Sequence, residues 1–446
     1  MSTISAVLIV RNEQHYLHDC LASLEGLVDE IVVADTGSTD GTVDIARRFT
    51  PHCVDFEWVD DFAAARNFAA GHATGDFILH IDADERIHNP AEAEGLLRDF
   101  AARHGEEVVG TVEIINRTPA ALIVDHTERF FCRRRCRYEG AIHEQIVLDG
   151  GRKRALPTGV RILHLGYDQP PDAPDHKAHR NKRILQRELE RFPNDEYFLY
   201  QLGKAHYTLQ EYAQAASAFE QALAAIRFEP DAPPAGRLGP VSREVLTGLV
   251  VTLAYAYVNS HRTADAAAHL ARHAALAHPG TQRADFHHVQ GYVFLMQGDL
   301  ARSREAYLES MRLGPGTESV RGTGSFISAY QLGLLCEGEK DLPGALGHYL
   351  YSLQLKPDYE VTLSRCIDLI TEHQLALPKQ VWACADHTTF TRLYLARIMA
   401  AIEDERPEEG GLLIKVAASL SPALLEHCRR GLEEVIEAGK PDEEKA

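Results

Sequence analysis

The sequence predicts an α/β domain built on a mostly parallel sheet, followed by an all-α domain of helical repeats. Three observations carry this. In the first third, apolar runs at 4–10, 30–34 and 77–81 alternate with segments whose apolar residues recur at helical spacing, the pattern of strands buried in a parallel sheet. The stretch Pro170-Pro171-Asp172-Ala173-Pro174-Asp175 then breaks the chain. From Glu196 onward helical spacing prevails, and a glycine is followed sixteen residues later by an aromatic in the pairs Gly203/Phe219, Gly291/Tyr307 and Gly333/Tyr349.

In chain order, 4–10 reads as a strand, 15–27 as a helix through Leu17, Leu21, Leu24 and Leu27, and 30–34 as a second strand. Strand, helix and strand in this order make a parallel unit. A short strand near 54–58, a helix over 68–73 and a buried strand at 77–81 follow. A helix is expected at 91–102, and strands at 108–116 and 121–125. In the repeats a small residue also stands twelve after each glycine, at Ala215, Ser303 and Ala345, where paired helices need close approach. Insertions such as 230–240 lengthen the units. The expected division is 1–170 for the α/β domain, 171–195 for a linker and connecting helix, 196–375 for the repeats and 376–446 for further helices, with 440–446 frayed.

The 446 residues are ample for two or three cores. A formal charge of −19 argues against a general nucleic-acid surface while leaving room for a local basic pocket. The eight cysteines form no C-x-x-C pair, so free thiols and a reducing compartment are expected. The start of the chain lacks a signal-peptide pattern and no apolar run is long enough for a membrane span, so a cytoplasmic location is the expectation.

The chemistry concentrates where the 77–81 strand gives way to Asp82-Ala83-Asp84-Glu85. Ligands of open α/β sheets bind outside the carboxyl ends of the strands, where two aspartates one residue apart can hold Mg²⁺ or Mn²⁺ shared with a phosphate. A turn or helix cap is the other reading. Asp35 ends the second strand before Thr36-Gly37-Ser38-Thr39-Asp40-Gly41-Thr42, whose glycines allow a ligand to approach. Arg66 suits phosphate oxygens, or else pairs Asp60 or Asp61. Arg129, Arg133, Arg134, Arg135 and Arg137 form a basic cluster that attracts a phosphate or acidic acceptor, or is a solvated face. His176 and His179 read as a solvated or acceptor-facing surface. Neither G-x-G-x-x-G nor a Walker A sequence occurs.

Six segments in order resemble the family 2 glycosyltransferases of the GT-A fold, in particular the branch with a tetratricopeptide-like tail. They are Val10-Arg11-Asn12-Glu13, Ala34-Asp35-Thr36-Gly37-Ser38-Thr39-Asp40-Gly41-Thr42, Phe62-Ala63-Ala64-Ala65-Arg66-Asn67, Ile81-Asp82-Ala83-Asp84-Glu85, Gly140-Ala141-Ile142-His143-Glu144 and His164-Leu165-Gly166-Tyr167. The resemblance implies that Val10, Arg11, Asn12 and Asp35 hold the uridine of a UDP-sugar, with Arg66, Asn67 and His143 near the same donor. Asp82 and Asp84 correspond to the family's DxD element, with Mn²⁺ or Mg²⁺ on the diphosphate. The family inverts the anomeric centre, which needs a base; Glu144 is the first choice, ahead of Asp84 and Glu85. His164 is a further metal or phosphate ligand, or a buried histidine satisfied by backbone.

The implied activity is transfer of a hexose or N-acetylhexosamine to Ser, Thr or Cys of a protein or peptide, as in enzymes that glycosylate bacteriocin-type peptides. The helical repeats would bind the polypeptide, and a homodimer is expected on the same resemblance. Two rival readings remain open: a transferase of lipopolysaccharide-core or other cell-surface glycan assembly, and an inactive scaffold whose repeats bind a partner.

Overall fold

The structure is a computed structural model that describes residues 2–118, 121–150, 153–165, 174–226, 242–275, 279–315, 321–374 and 377–438. Gly166 and Tyr167, the proline stretch up to Ala173, the 230–240 insertion and 440–446 lie outside the described residues. The chain divides into two compact units, Met1–Glu211 and Tyr212–Ala446.

Among its described residues the first unit carries ten strands: β1 (Ile4–Val10), β2 (Glu30–Asp35), β3 (Cys53–Asp55), β4 (Phe77–His80), β5 (Glu85–Ile87), β6 (Val108–Thr118), β7 (Ala121–Cys132), β8 (Cys136–Glu139), β9 (Gln145–Leu148) and β10 (Arg154–His164). Its helices are α1 (Leu17–Ala22), α2 (Thr42–Phe49), α3 (Phe62–His72), α4 (Pro90–His104), α5 (Pro174–Arg191) and α6 (Glu196–Thr208). Eight strands form one mixed sheet in the order β3-β2-β1-β4-β7-β6-β10-β5, while β8 and β9 pair separately. Parallel pairings join β1 to β2 and β4, β2 to β3, and β6 to β10; β7 runs antiparallel to both β4 and β6. This is the expected GT-A-like architecture.

Strand alternation explains why β1 reads as a continuous apolar run. Ile4, Ala6, Leu8 and Val10 pack with Leu17, Leu21, Leu97 and Phe100 on one face, whereas Val7 joins Ala63, Ala69 and Ile78 on the other. Both faces are covered by helices, so no polar face is needed. The helix expected over 15–27 is regular only as α1; Leu24 and Leu27 are buried as their spacing requires, but in turns that end near Gly26 at φ +74°. The strand expected at 121–125 runs on to Cys132, because β7 pairs first with β6 and then with β4.

Among its described residues the second unit is all helical: α7 (Tyr212–Ala225), α8 (Ser242–Asn259), α9 (Thr263–Ala275), α10 (Ala284–Met296), α11 (Leu300–Leu313), α12 (Phe326–Gly338), α13 (Leu342–Leu355), α14 (Glu360–His373), α15 (Lys379–Cys384), α16 (His387–Glu403), α17 (Pro407–Leu420) and α18 (Pro422–Ala438). The glycine–aromatic spacing is a packing device here. A Cβ on Gly291 would stand 2.8 Å from the Tyr307 ring, and one on Gly333 would overlap Tyr349. Both tyrosines are fully buried, and Ser303 Oγ donates to the Gly291 carbonyl at 2.8 Å. Asp299 and Asp341 cap the second helix of each pair through the amides of Arg302 and Gly344, both at 3.0 Å. The array is therefore tetratricopeptide-like, as the repeat spacing predicts. No helix among the described residues is long and apolar enough to cross a membrane.

Candidate functional site

At the carboxyl end of β4 the chain turns through 82–85, closed by Glu85 N to Asp82 O at 3.0 Å and by the Asp82 amide donating to Glu85 Oε2 at 2.8 Å. The Asp84 carbonyl accepts from Leu165 N at 2.9 Å, which ties the turn to the end of β10.

Asp82 faces three cationic or imidazole groups. Arg129 Nη2 donates to Asp82 Oδ2 at 2.9 Å, Arg66 Nη1 to Oδ1 at 3.3 Å, and His80 Nε2 lies 3.2 Å from Oδ1. Burial works to raise this carboxyl's pKa, but Arg129 and Arg66 hold it well below the usual carboxylate range. Arg129 Nη2 also donates to Glu85 Oε1 at 2.9 Å. Burial pushes Glu85 up to about 7 against that arginine. His80 is kept neutral by burial and then by Arg66.

Arg66 sits one turn into α3, a helix started by Asp61 accepting from Ala64 N at 2.8 Å. Its Nε donates to Glu144 Oε1 at 2.5 Å, and its guanidinium lies 5.5 Å from the Tyr138 ring centroid. Asp60 pairs instead with Arg183, and Asp61 is spent as the cap, so the reading of Arg66 as a solvated partner of either is set aside. Asn67 exchanges both amide bonds with the backbone of Tyr138, at 2.9 and 2.8 Å, and so fastens α3 to β8. His143, in left-handed backbone at φ +54°, presents its ring edge to Tyr197 at 5.7 Å.

On the far side of the turn, His164 Nε2 stands 3.3 Å from Asp84 Oδ2, while its Nδ1 lies 2.7 Å from Asn116 Oδ1. Asn116 Nδ2 donates to Asp125 Oδ2 at 2.7 Å, which orients the amide so that its oxygen accepts from Nδ1–H. Nε2 then carries the lone pair when the ring is neutral. A lone pair facing a carboxylate needs a proton or a metal ion between them, and the Asp125–Asn116–His164 relay is the kind of outer support that metal-bound histidines have. Asp84 and His164 thus fit a divalent cation, whereas Asp82 is held by arginines. Among the described residues no three His, Cys, Asp or Glu side chains are gathered to hold a metal.

The nucleotide-side loops are cross-linked. The Val10 carbonyl accepts from Thr36 N at 2.9 Å, Asn12 N donates to Ser38 Oγ at 2.9 Å, and Asn12 Oδ1 accepts from Thr39 N at 2.8 Å. Asp35 is buried and accepts from the amides of Gly37 and Ser38. Arg11 is exposed beside them.

Residues 5–148 match the family described as "Glycosyl transferase family 2". This segment is similar to the family 2 glycosyltransferases. A TPR repeat-containing protein of Synechococcus elongatus is 35% identical over 46% of this chain and 52% of its own length. The SPbeta prophage-derived glycosyltransferase SunS of Bacillus subtilis is 28% identical over 48% of this chain and 51% of its own. The chain thus spans about half the length of the curated relatives it matches.

The first unit brings to the site residues that belong to none of the six motif segments. Arg129 belongs by sequence to the basic cluster, yet it turns inward while Arg133 binds the Gly75 carbonyl and Arg137 pairs with Glu139; the cluster does not act as one patch. His80 and Asn116 read as ordinary strand residues. His80 is signalled only by its polarity in the otherwise apolar β4, whereas Asn116 stands among other polar residues of β6 and carries no such signal. A cavity of about 420 Å³ beside Arg66 and Glu144 also takes Arg180, Asn181 and Tyr197, which lie beyond the matched segment. His176 and His179, also on α5, are exposed.

Proposed function

We propose that the protein is a metal-dependent inverting glycosyltransferase that moves a hexose or N-acetylhexosamine from a UDP-sugar to a Ser, Thr or Cys side chain of a protein or peptide. The observation that supports it is the meeting of Asp82, Asp84, Arg66 and Glu144 at the carboxyl end of β4, inside the segment that matches family 2. Asp84 and His164 would hold Mn²⁺ or Mg²⁺, with Asp82 joining once it exchanges an arginine for the cation. When bound, that ion supplies Lewis-acid neutralisation of the departing diphosphate.

Glu144 takes the acceptor's proton through Oε2 while Arg66 holds Oε1. The acceptor's oxygen or sulfur forms a bond to the anomeric carbon as that carbon's bond to the phosphate oxygen breaks, and UDP leaves. Arg66 steers both the base and Asp82, so one guanidinium couples the acceptor side to the donor side. Asp35, with Val10, Arg11 and Asn12, forms the uridine side. The tetratricopeptide-like array supports a polypeptide acceptor, because such arrays present extended surfaces to peptides. A cytoplasmic homodimer completes the proposal, with light scattering as the check on the dimer.

Calorimetry with UDP, with and without Mn²⁺, tests the donor half: metal-enhanced binding is expected, and binding indifferent to Mn²⁺ sinks the metal. Intact-mass spectrometry of peptides incubated with a UDP-sugar panel tests the acceptor half. A glycan acceptor that gains a hexose while every peptide stays unmodified would replace the polypeptide.

A further inference from the structure

The cavity beside Glu144 is lined by three arginines, Arg66, Arg129 and Arg180. The first two are neutralised in place by Glu144, Asp82 and Glu85. Arg180 is not. Its guanidinium stacks 4.8 Å from the Phe62 ring centroid, and its hydrogen bonds are two 3.4 Å contacts to the neutral Asn181 Oδ1. Among the described residues it forms no ion pair.

The face of α5 that carries Arg180 is fixed from below. Ile184 and Leu185 are buried with Ala141, Ile142 and Phe198, and Arg183 and Arg187 fasten the helix to Asp60 and to the Val59 and Asp60 carbonyls. Lys177 stands one turn before Arg180 on this face. Burial and then Arg11, on the loop after β1, depress the Arg180 guanidinium, while Asp60 and Glu144 favour its charge; Lys177 acts on Glu13 of the same loop. That loop is bonded through Asn12 to Ser38 and Thr39, the nucleotide side of the site. A half-buried cation that lines a cavity, stacks on an aromatic ring and has no carboxylate at ion-pair distance among the described residues is an arrangement that an anion completes.

We propose that Arg180, with Lys177 one turn before it on α5, binds the terminal phosphate of the donor's nucleoside diphosphate, so that α5, outside the family-matched segment, supplies a phosphate-binding residue. The assignment rests on the transferase reading. Its consequence is chemical: charge builds on that phosphate as the anomeric bond breaks, and a fixed guanidinium there lowers the barrier as well as binding the ground state.

The test uses the full chain with Mn²⁺ and titrates UDP, UMP and inorganic pyrophosphate into wild type, Arg180→Gln and Arg180→Lys. The Gln variant should bind UDP about tenfold or more weakly, the loss expected for one charge-assisted hydrogen bond, with UMP affinity unchanged. The Lys variant should recover most of the UDP affinity, and wild-type UDP binding should fall more steeply with salt than UMP binding. Equal UDP affinity in wild type and Arg180→Gln, or an equal loss for UDP and UMP, overturns the Arg180 assignment and leaves the transferase reading standing. Wild type that binds neither UDP nor pyrophosphate overturns both. Pyrophosphate binding alone, lost in Arg180→Gln, upholds the phosphate site and removes only the uridine.

Discussion

Arg66 and Glu144 meet at 2.5 Å across seventy-eight positions of sequence, with side chains 11% and 12% exposed. A Gln at 144 can still accept from Arg66 Nε but is no base. Glu144→Gln should therefore lower kcat by about 10²–10⁴-fold with UDP affinity intact. Loss of UDP binding together with turnover would make Glu144 a structural partner of Arg66 instead.

Asp84→Asn should reduce turnover severely without unfolding the domain, since among the described residues its side chain is bonded to His164 alone. The relay behind it gives a finer readout. Asn116→Leu removes the acceptor that orients His164, and Mn²⁺ affinity in the presence of UDP should drop ~10–100-fold, as measured by metal titration. Unchanged Mn²⁺ affinity would take His164 out of the metal site.

Arg129→Met leaves Asp82 and Glu85 facing each other without their shared cation. Breaking a buried pair from one side costs ~3–5 kcal/mol, so chemical denaturation should show a loss of that order in the first unit. Adding Glu85→Gln should recover part of it, because it removes the carboxylate that Arg129 had paired, whereas Asp82 keeps Arg66. Strictly additive losses would mean that the three groups are not coupled.

Acid should weaken the helical unit through two buried histidines. Burial lowers His269 and His288 to about 4, from the ordinary 6.5. His269 Nε2 donates to the Val250 carbonyl, and His288 Nδ1 donates to Ser328 Oγ, whose own proton goes to Thr323 O. The folded pKa is below the unfolded one, so the stabilisation is present above pH 6.5 and lost as pH falls towards 4. Each histidine contributes at most about 3 kcal/mol by this linkage. Helical ellipticity should melt earlier at pH 4.5 than at pH 7.5, and a melting point indifferent to pH across that window would refute the linkage.

Gly333→Ala forces a Cβ into Tyr349, which is fully buried and has no room to retreat. A loss of ~1–3 kcal/mol is expected from this overpacking, although alanine is the better helix former. At Gly347 a Cβ meets nothing within 4 Å, so Gly347→Ala serves as the matched control and should be neutral or slightly stabilising. The same loss at both positions would show that the glycine–tyrosine spacing is not a packing contact.

The sequence by itself located strands such as β1 and β4 and the paired helices, because burial on both strand faces demands unbroken apolar runs and helix pairing demands small residues at fixed spacing, whereas β5, β8 and β10 carry no such run. It also placed Asp82 and Asp84 at a strand end, where local geometry exposes carboxylates. What only the tertiary structure decided are the partners. Arg129 reaches Asp82 because β7 pairs antiparallel with β4, setting Phe130 opposite Leu79, and a shift of one residue would turn Arg129 to the other face. Asn116 reaches His164 because β6 and β10 are in parallel register at those two residues. Arg180 reaches the site because α5 docks on the turn before α3. Strand register and helix docking are fixed by contacts far apart in the chain, so residue spacing carries no trace of them.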